Sequence, residues 1–494
     1  MRVRNVPVLV VGGGPVGLST GMFLALWGVR PLVVDKRDPL SAPPRAGTSL
    51  RTMEIFRSMG LESRLKSAGW RGGIPMRTIF KDSGLGATLH RGGLPPAYTK
   101  RLETCSPADP RLILTQDQVQ RVALDTLRRH GGEARFDLRL LDLRSEEHQV
   151  RARVLDVTTG AEQEITADYV IGADGANSEV RERLGISLSG REAIARLNTA
   201  FFRADLGPVL DDWGTHMCIV RNDAIYATLL SKNGRDQWSS HIMDYPGKPD
   251  ELTDLSAGET IRLLRIAIGD AAVPIELYAV NAWEAAVGMA SAFRENRIFL
   301  AGDAAHVQSS AGGLGMNTGI QDGHNLAWKL AAVLKGELPP ALLDTYEPER
   351  RVAARHSLAV SRGMHHGYRS QEGDPAAMYE RIAKDYLRGM MFYSYDVPSE
   401  VLDDEIRPGL RFPHWWVDGG RVSTLDLIGA RWTLFTGSDE YRWRAAAAGL
   451  SIAPRVHVLD AAEQAVLVRP DGFVAWAGSS EAALRDAVGR LAGS

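Results

Sequence analysis

Residues 7–35 read PVLVVGGGPVGLSTGMFLALWGVRPLVVD. Residues 7–11 are a short, β-branched apolar run of the kind buried on both faces of a parallel sheet. Gly12-Gly13-Gly14-Pro15-Val16-Gly17 then fits G-x-G-x-x-G, residues 18–27 have helical composition, and residues 31–34 are a second apolar strand closed by Asp35. Gly12 permits the tight turn, Gly14 lets the backbone approach a pyrophosphate, and Gly17 lets helix and strand pack closely. The helix N-terminus attracts the negative charge. Asp35 lies 21 positions after Gly14, a distance that suits a carboxylate accepting from ribose hydroxyls. The unit predicts a dinucleotide site and does not choose between NAD and FAD.

The chain around this unit is long and ordinary in composition. Its 494 residues suggest roughly three domains. Hydrophobic residues at 44% and charged residues at 24% allow globular cores and exclude wholesale disorder. A net charge of -2 provides no basic field for nucleic acid or an anionic membrane. Cys105 and Cys218 are the only cysteines, which excludes a disulfide scaffold, a CxxC redox pair and a Cys-rich zinc site; no metal site is expected. Pro7 and the triple glycine break the N-terminal apolar run, so it reads as a buried strand and not a signal peptide. With no uninterrupted apolar stretch of about 18 residues, a spanning helix is not expected. A soluble cytoplasmic protein is the expectation.

Two later stretches have the same form. Residues 168–173 (DYVIGA) are an apolar strand running into Asp174-Gly175, and Asn177 or Ser178 is placed to cap a helix. Residues 297–301 (RIFLA) lead into Gly302-Asp303-Ala304-Ala305-His306, then Gly312-Gly313-Leu314-Gly315-Met316-Asn317 and a helix to about residue 334. An Asp at a strand's carboxyl end sits where α/β sheets place ligands. The backbone N–H groups of Gly313, Leu314, Gly315, Met316 and Asn317 feed a helix N-terminus. That is a suitable partner for an anionic ligand group.

These three motifs, in this order from residue 8 to about 351, resemble the fingerprints of the class A flavoprotein aromatic hydroxylases. This is the para-hydroxybenzoate and phenol hydroxylase group, which includes hydroxylases of bacterial aromatic polyketide pathways. The resemblance implies FAD as cofactor, NADPH or NADH as a transient reductant and O2 as co-substrate. It implies hydroxylation of a phenolic or hydroxyheteroaromatic ring through a flavin C4a-hydroperoxide, in natural-product biosynthesis. It places Gly12, Gly14, Pro15, Val16 and Gly17 at the pyrophosphate, Asp35 with Lys36 at the adenosine ribose, and Gly302 with Asp303 at the ribityl chain. Asp174 falls in a D-G motif linked to FAD and NAD(P)H. Arg45-Ala46 resembles a pyrophosphate-contacting stretch, Gln116 a glutamine near the ribityl phosphate, and Leu140 a residue approaching the adenine. No second G-x-G-x-x-G unit exists for a stable nicotinamide site, and the W-x-W-x-I-P motif of flavin halogenases is absent. Ser310 stands where the family carries a proline. His306 shows no carboxylate or nucleophile partner at short range and reads as a packing residue, so no catalytic residue is named.

The fold expected is α/β. A discontinuous Rossmann-like FAD-binding domain takes residues 1–75, 102–184 and 285–400. An antiparallel-sheet substrate domain takes residues 76–101 and 185–284, with strands near 215–220, 224–230, 238–243 and 274–280. A thioredoxin-like C-terminal domain takes residues 405–494, marked by LVRPDGFVAW at 467–476, with a Gly- and Pro-bearing stretch at 409–420 that reads as a linker. Both cysteines precede residue 219, so that domain cannot run dithiol chemistry. Tyr226, His216, His241 and Tyr278 are candidates to meet a phenol, and Arg196 and Arg203 to steady an anion, each weighed against plain strand packing. The partner expected is a small aromatic substrate, with no nucleic acid and no membrane; the oligomeric state stays open. Alternatives are a flavoprotein that sequesters a labile aromatic intermediate without turnover, a degradative phenol hydroxylase, and a simple flavin dehydrogenase or oxidase.

Overall fold

The computed structural model describes residues 3–41, 43, 47–72, 77–210, 215–369, 375–395, 404–437, 439–459 and 463–492. The apolar run around residue 8 is the centre of a sheet ordered Arg294–Glu295, Ile298–Leu300, Glu162–Gly172, Val3–Val11, Leu32–Val34 and Glu133–Arg135, with the antiparallel ribbon Leu138–Ser145/Val150–Asp156 alongside. Val8, Leu9 and Val10 are wholly buried, and burying such a side chain contributes about 1.5–3 kcal/mol. The four central strands are parallel. Val11 pairs with Gly172 on one side and Val34 on the other, and Gly172 pairs with Leu300. Four strands therefore end on one level, and the residues that follow them are Gly12, Asp35, Ala173-Asp174 and Ala301-Gly302.

Helix Pro15–Leu26 is buried between helices Gln116–Arg129 and Leu314–Leu334. Small residues allow the approach: a Cβ on Gly323 would lie 2.0 Å from Thr20 Oγ1, and one on Gly319 would lie 2.5 Å from Val16. On the same long helix, His324 packs against Phe23 and Trp27 at ring separations of 5.0 and 5.3 Å.

The second sheet is ordered His306–Val307, Glu276–Ala290, Leu188–Arg203, Gln237–Asp244, Ile225–Ser231, Met217–Asn222, Thr78–Lys81 and Thr88–Gly92. Helix Ala257–Ile268 covers one face, where Ala200, Phe202, Leu229, Trp238, Leu263 and Ile268 form a separate core. The expected strands are present. The sequence reading missed strand Leu188–Arg203, whose first half is polar and exposed. Two expected domain boundaries fall inside elements. Position 284/285 lies within strand Glu276–Ala290, which runs unbroken toward His306–Val307, and 101/102 lies within helix Pro96–Thr104.

The C-terminal sheet is ordered Arg455–Val458, Thr433–Thr436, Ala465–Val468 and Val474–Gly478, flanked by helices Glu440–Ala448 and Glu481–Ala492. In chain order this is 2-1-3-4, the thioredoxin arrangement. Residues 409–420 do not behave as a linker. Phe412 is 1% exposed and stacks on Phe435 at 4.5 Å, Gly409 N donates to Val474 O, and Arg411 enters a buried ion pair with Glu54. The composition that suggests a flexible join is used here for docking. No helix among the described residues is long and apolar enough to cross a membrane.

Two buried histidines give the fold an acid limit. Burial lowers the pKa of His324 to about 3; burial and the neighbouring Lys232 lower that of His216 to about 4. Both are neutral in the folded chain, whereas unfolded histidines titrate near 6.5. Above pH ~6.5 neither affects stability. As pH falls below that value the unfolded chain gains protons that the folded one excludes, so stability drops by about 1.4 kcal/mol per pH unit for each histidine. Denaturant titrations at pH 7, 6 and 5 should show this slope, and His324→Gln should lower it by about 1.4 kcal/mol per pH unit. An unchanged slope in that variant would exclude His324 as its source.

Candidate active site

The first turn is shaped by what cannot be added to it. Gly12 has φ +110°, and a Cβ there would lie 2.2 Å from Ala173 O; a Cβ on Gly17 would lie 1.8 Å from Gly12 O. Gly14 instead faces open space and is the N-cap of helix Pro15–Leu26, with no side chain capping it and Pro15 at its start. The helix's first N–H groups are thus left for a ligand. Val16 is buried against Gly302 and Gly319, so it spaces the first turn from the third. Asp35 Oδ2 accepts from Gly13 N at 2.7 Å and Oδ1 from Arg37 N at 2.9 Å. Lys36 pairs with Glu179 at 2.9 Å.

In the second turn, Ser178 is the N-cap of helix Glu179–Arg183, its Oγ accepting from Arg181 N at 2.9 Å, and the Asp174 carboxylate accepts from Ser178 Oγ at 2.5 Å and Val180 N at 3.1 Å. Burial raises its pKa against those hydrogen bonds. The same helix supplies Arg181, which donates to Ala304 O at 3.1 Å and Ala176 O at 2.8 Å. A buried guanidinium thereby ties the second turn to the third.

The third turn has Gly302 at φ +62° and leads through Gly312-Gly313 into helix Leu314–Leu334, whose N-cap Gly313 has no side-chain cap. Leu314 is 2% exposed and can offer only its backbone; Met316 is half-buried. A Cβ on Gly315 would lie 3.8 Å from Asp303 Oδ1. The Asn317 side chain acts as a pin: Oδ1 accepts from Ser49 N at 2.7 Å, and Nδ2 donates to Gly47 O and Gly313 O, both at 2.6 Å. It holds the segment after Arg45-Ala46 against the third turn; Arg45 and Ala46 themselves lie outside the described residues. Gln116 opens helix Gln116–Arg129, but Gln120, one turn on, is the glutamine that reaches Gly13 O (3.3 Å). Leu140 is buried in the core on strand Leu138–Ser145, two residues after the Leu138 N–H that donates to Asp35 O.

His306 is fully buried, as a packing residue is, and it has a carboxylate partner that lies beyond short range in the sequence. His306 Nε2 donates to Asp322 Oδ2 at 2.7 Å, both side chains being fully buried. The same carboxylate accepts from Gly302 N at 3.0 Å and, through Oδ1, from Arg350 Nε at 2.7 Å. Burial alone would raise the Asp322 pKa, but His306 and Arg350 outweigh it and hold the carboxyl below its ordinary range. Asp322 therefore braces the backbone amide next to Asp303. Its partners lie 16, 20 and 28 positions away, spacings that follow no local rule, so the sequence carried no signal for it.

The face of the antiparallel sheet opposite helix Ala257–Ile268 carries a polar and aromatic cluster. Thr199 Oγ1 lies 2.8 Å from His241 Nδ1, and Trp283 Nε1 donates to Thr199 Oγ1 at 2.8 Å. The other phenol and anion candidates separate from it. His216 is buried among protein groups, Tyr278 is 43% exposed beneath Arg203, Arg196 donates to Asp250 O, and Tyr226 lies under Arg221.

Three turns thus meet along one sheet edge. They offer two uncapped helix N-termini, an acid at the ribose position, and a path to the antiparallel sheet through strand His306–Val307. This donor set fits FAD: amides and helix ends for a pyrophosphate, Asp35 for a ribose, and the Gly313 helix end for an anionic ring. Residues 5–361 match the family model described as FAD binding domain, and residues 405–494 that described as aromatic-ring hydroxylase, C-terminal. Over its whole length the chain is 34% identical to the aklavinone 12-hydroxylase RdmE of Streptomyces purpurascens, covering 98% of that protein. It is 33% identical to the tetracenomycin A2 monooxygenase-dioxygenase of Streptomyces glaucescens, over 99% of this chain and 96% of the relative. Among solved structures it resembles aklavinone-11 hydroxylase in a ternary complex with FAD and aklavinone, with a TM-score of 0.88, 32% identity and 100% of both chains covered.

Proposed function

The chain belongs to the FAD-binding aromatic-ring hydroxylases, and from that premise we propose that it is an NAD(P)H-using monooxygenase acting on a phenolic or hydroxyheteroaromatic ring of a polycyclic natural-product intermediate. The observation that carries this reading is the common level at which Val11, Val34, Gly172 and Leu300 end their strands. The balance is one aromatic C–H, O2, NAD(P)H and a proton in; one phenolic C–OH, NAD(P)+ and water out. FAD, reduced by the nicotinamide, supplies the activation of O2 in this class.

The chain's own residues bind, orient and shield. Gly12, Gly14, Pro15, Val16 and Gly17 form the pyrophosphate turn, with Asp35 and Lys36 at the ribose. Asp303, with its backbone braced by Asp322, serves the ribityl chain. The N–H groups in the first turn of helix Leu314–Leu334 stabilise negative charge on the ring system, with no reorganisation needed when it develops. The face bearing Thr199, His241 and Trp283 seats a flat aromatic molecule, and the two cores on either side exclude water.

The test is a screen of polycyclic phenols for stimulated NAD(P)H oxidation by the yellow protein, with product masses measured under 18O2. A substrate-dependent product carrying one labelled oxygen is expected. Tight binding without turnover would establish sequestration instead, and oxidised product free of label would establish a dehydrogenase or oxidase.

A further inference from the structure

The turn at residues 469–472 of the C-terminal domain is driven into the FAD-binding half of the molecule. Arg469 donates to Asp471 at 2.5 and 3.1 Å, and Asp471, 3% exposed, also accepts from Asn325 Nδ2 and Trp328 Nε1, both at 3.2 Å. Asn325 and Trp328 lie on helix Leu314–Leu334, whose N-terminus is the flavin-facing end of the third turn. From Asp471 the hydrogen bonds continue inward. Asn325 Nδ2 shares its two hydrogens among Glu349 Oε2 at 2.7 Å, Asp471 and Tyr395 OH at 3.4 Å; Arg350 Nη1 reaches the same hydroxyl at 3.2 Å, and Arg350 Nε reaches Asp322, which holds Gly302 N. Phe473 stacks on Tyr395 at 4.2 Å. A side branch runs from Arg469 to Glu349 at 2.6 Å and on to Lys329 at 2.8 Å.

We propose that Asp471 is a positioning residue for the flavin-binding turn, acting through Asn325, Tyr395, Arg350 and Asp322 on the backbone beside Asp303. The network balances three cations, Lys329, Arg350 and Arg469, against three anions, Asp322, Glu349 and Asp471. Its charged groups are buried, and in such surroundings an unmatched charge is costly, so removing one anion forces the others to re-pair. Arg350 is the shared member: it holds Asp322 on one side and the tyrosine hydroxyls on the other. A C-terminal domain without its own redox chemistry thus sets the geometry of the cofactor turn. The inference rests on the assignment of residues 302–303 to FAD.

The full-length apoprotein is titrated with FAD, followed by flavin fluorescence, for the unsubstituted chain and three variants. Asp471→Asn should raise the FAD Kd about tenfold, the size of coupling found within one hydrogen-bonded network. Tyr395→Phe keeps the stack on Phe473 and should raise the Kd in the same direction by a smaller factor. The two together should raise it by less than the product of the single effects. Asp426→Asn breaks a different docking contact, the Arg57–Asp426 pair at 2.8 Å. It should lower the melting temperature and leave the Kd within about twofold. If Asp471→Asn does not fold, Tyr395→Phe decides alone. Native Kd values in both network variants, or an equal rise in Asp426→Asn, would overturn the coupling. Failure of the unsubstituted chain to take up FAD would overturn the flavin assignment and this inference with it.

Discussion

Gly12→Ala is expected to yield a protein purified without its yellow colour, with FAD affinity lowered roughly hundredfold. The added carbon would stand 2.2 Å from Ala173 O, 2.5 Å from Ala173 C and 2.8 Å from Asp174 N, all backbone atoms with no side-chain freedom to move aside. The φ of +110° adds strain that alanine cannot relieve. Strain and overpacking each cost about 1–3 kcal/mol, and the damage falls on the first and second turns at once. The ratio of flavin to protein absorbance after purification, followed by FAD titration, measures the effect. A variant that keeps the native ratio would mean that the strand ends can separate cheaply, against the in-register pairing of Val11 with Gly172.

Glu54→Gln is expected to destabilise the chain by about 3–5 kcal/mol, the cost of removing one partner from a buried ion pair. Glu54 Oε2 accepts from Arg51 Nη1 at 2.9 Å and from Arg411 Nε at 2.9 Å, and Arg411 also donates to Cys105 O at 2.7 Å. The three charged side chains are at most 5% exposed. Burial would raise the Glu54 pKa, yet Arg411 and Arg51 keep it below the ordinary range, so the charge persists in the core. Glutamine keeps the shape and leaves two guanidiniums with no anion between them. Thermal denaturation and limited proteolysis around residue 411 read the result. A melting curve superimposed on that of the unsubstituted chain would show that solvent relieves Arg411, contrary to its burial.

The contrast between these two sites explains what could be read from the sequence. The turns at Gly12, Asp174 and Gly302 were legible because their chemistry is local: each combines a strand and a glycine-bearing turn with a carboxylate, within a few residues in the second and third turns and at the end of the next strand in the first. The braces on those turns were not. Asp322, Asn317 and Arg181 act on partners 4 to 270 positions away in sequence, and only the folded chain defines those pairs. Strand Leu188–Arg203 was hidden because its exposed half lacks apolar alternation. Residues 409–420 were misread because glycine and proline mark turns whether or not the segment is docked. The domain boundaries placed at 101/102 and 284/285 assumed that folding units change between elements, whereas a helix and a strand cross those positions without a break. At the aromatic face, single candidates could be named, but Thr199, His241 and Trp283 come together only through the register of three strands.

Order of synthesis and order of assembly must differ in this molecule. Strand Val3–Val11 is the middle of the parallel sheet, and its neighbour Glu162–Gly172 receives its far partner, Ile298–Leu300, only after every strand of the antiparallel sheet except His306–Val307 has been made. A nascent chain holding the first 290 residues owns two of the three turns and has nothing with which to close around a cofactor. The complete cradle for FAD therefore exists only once residues 302–317 have joined the first two turns.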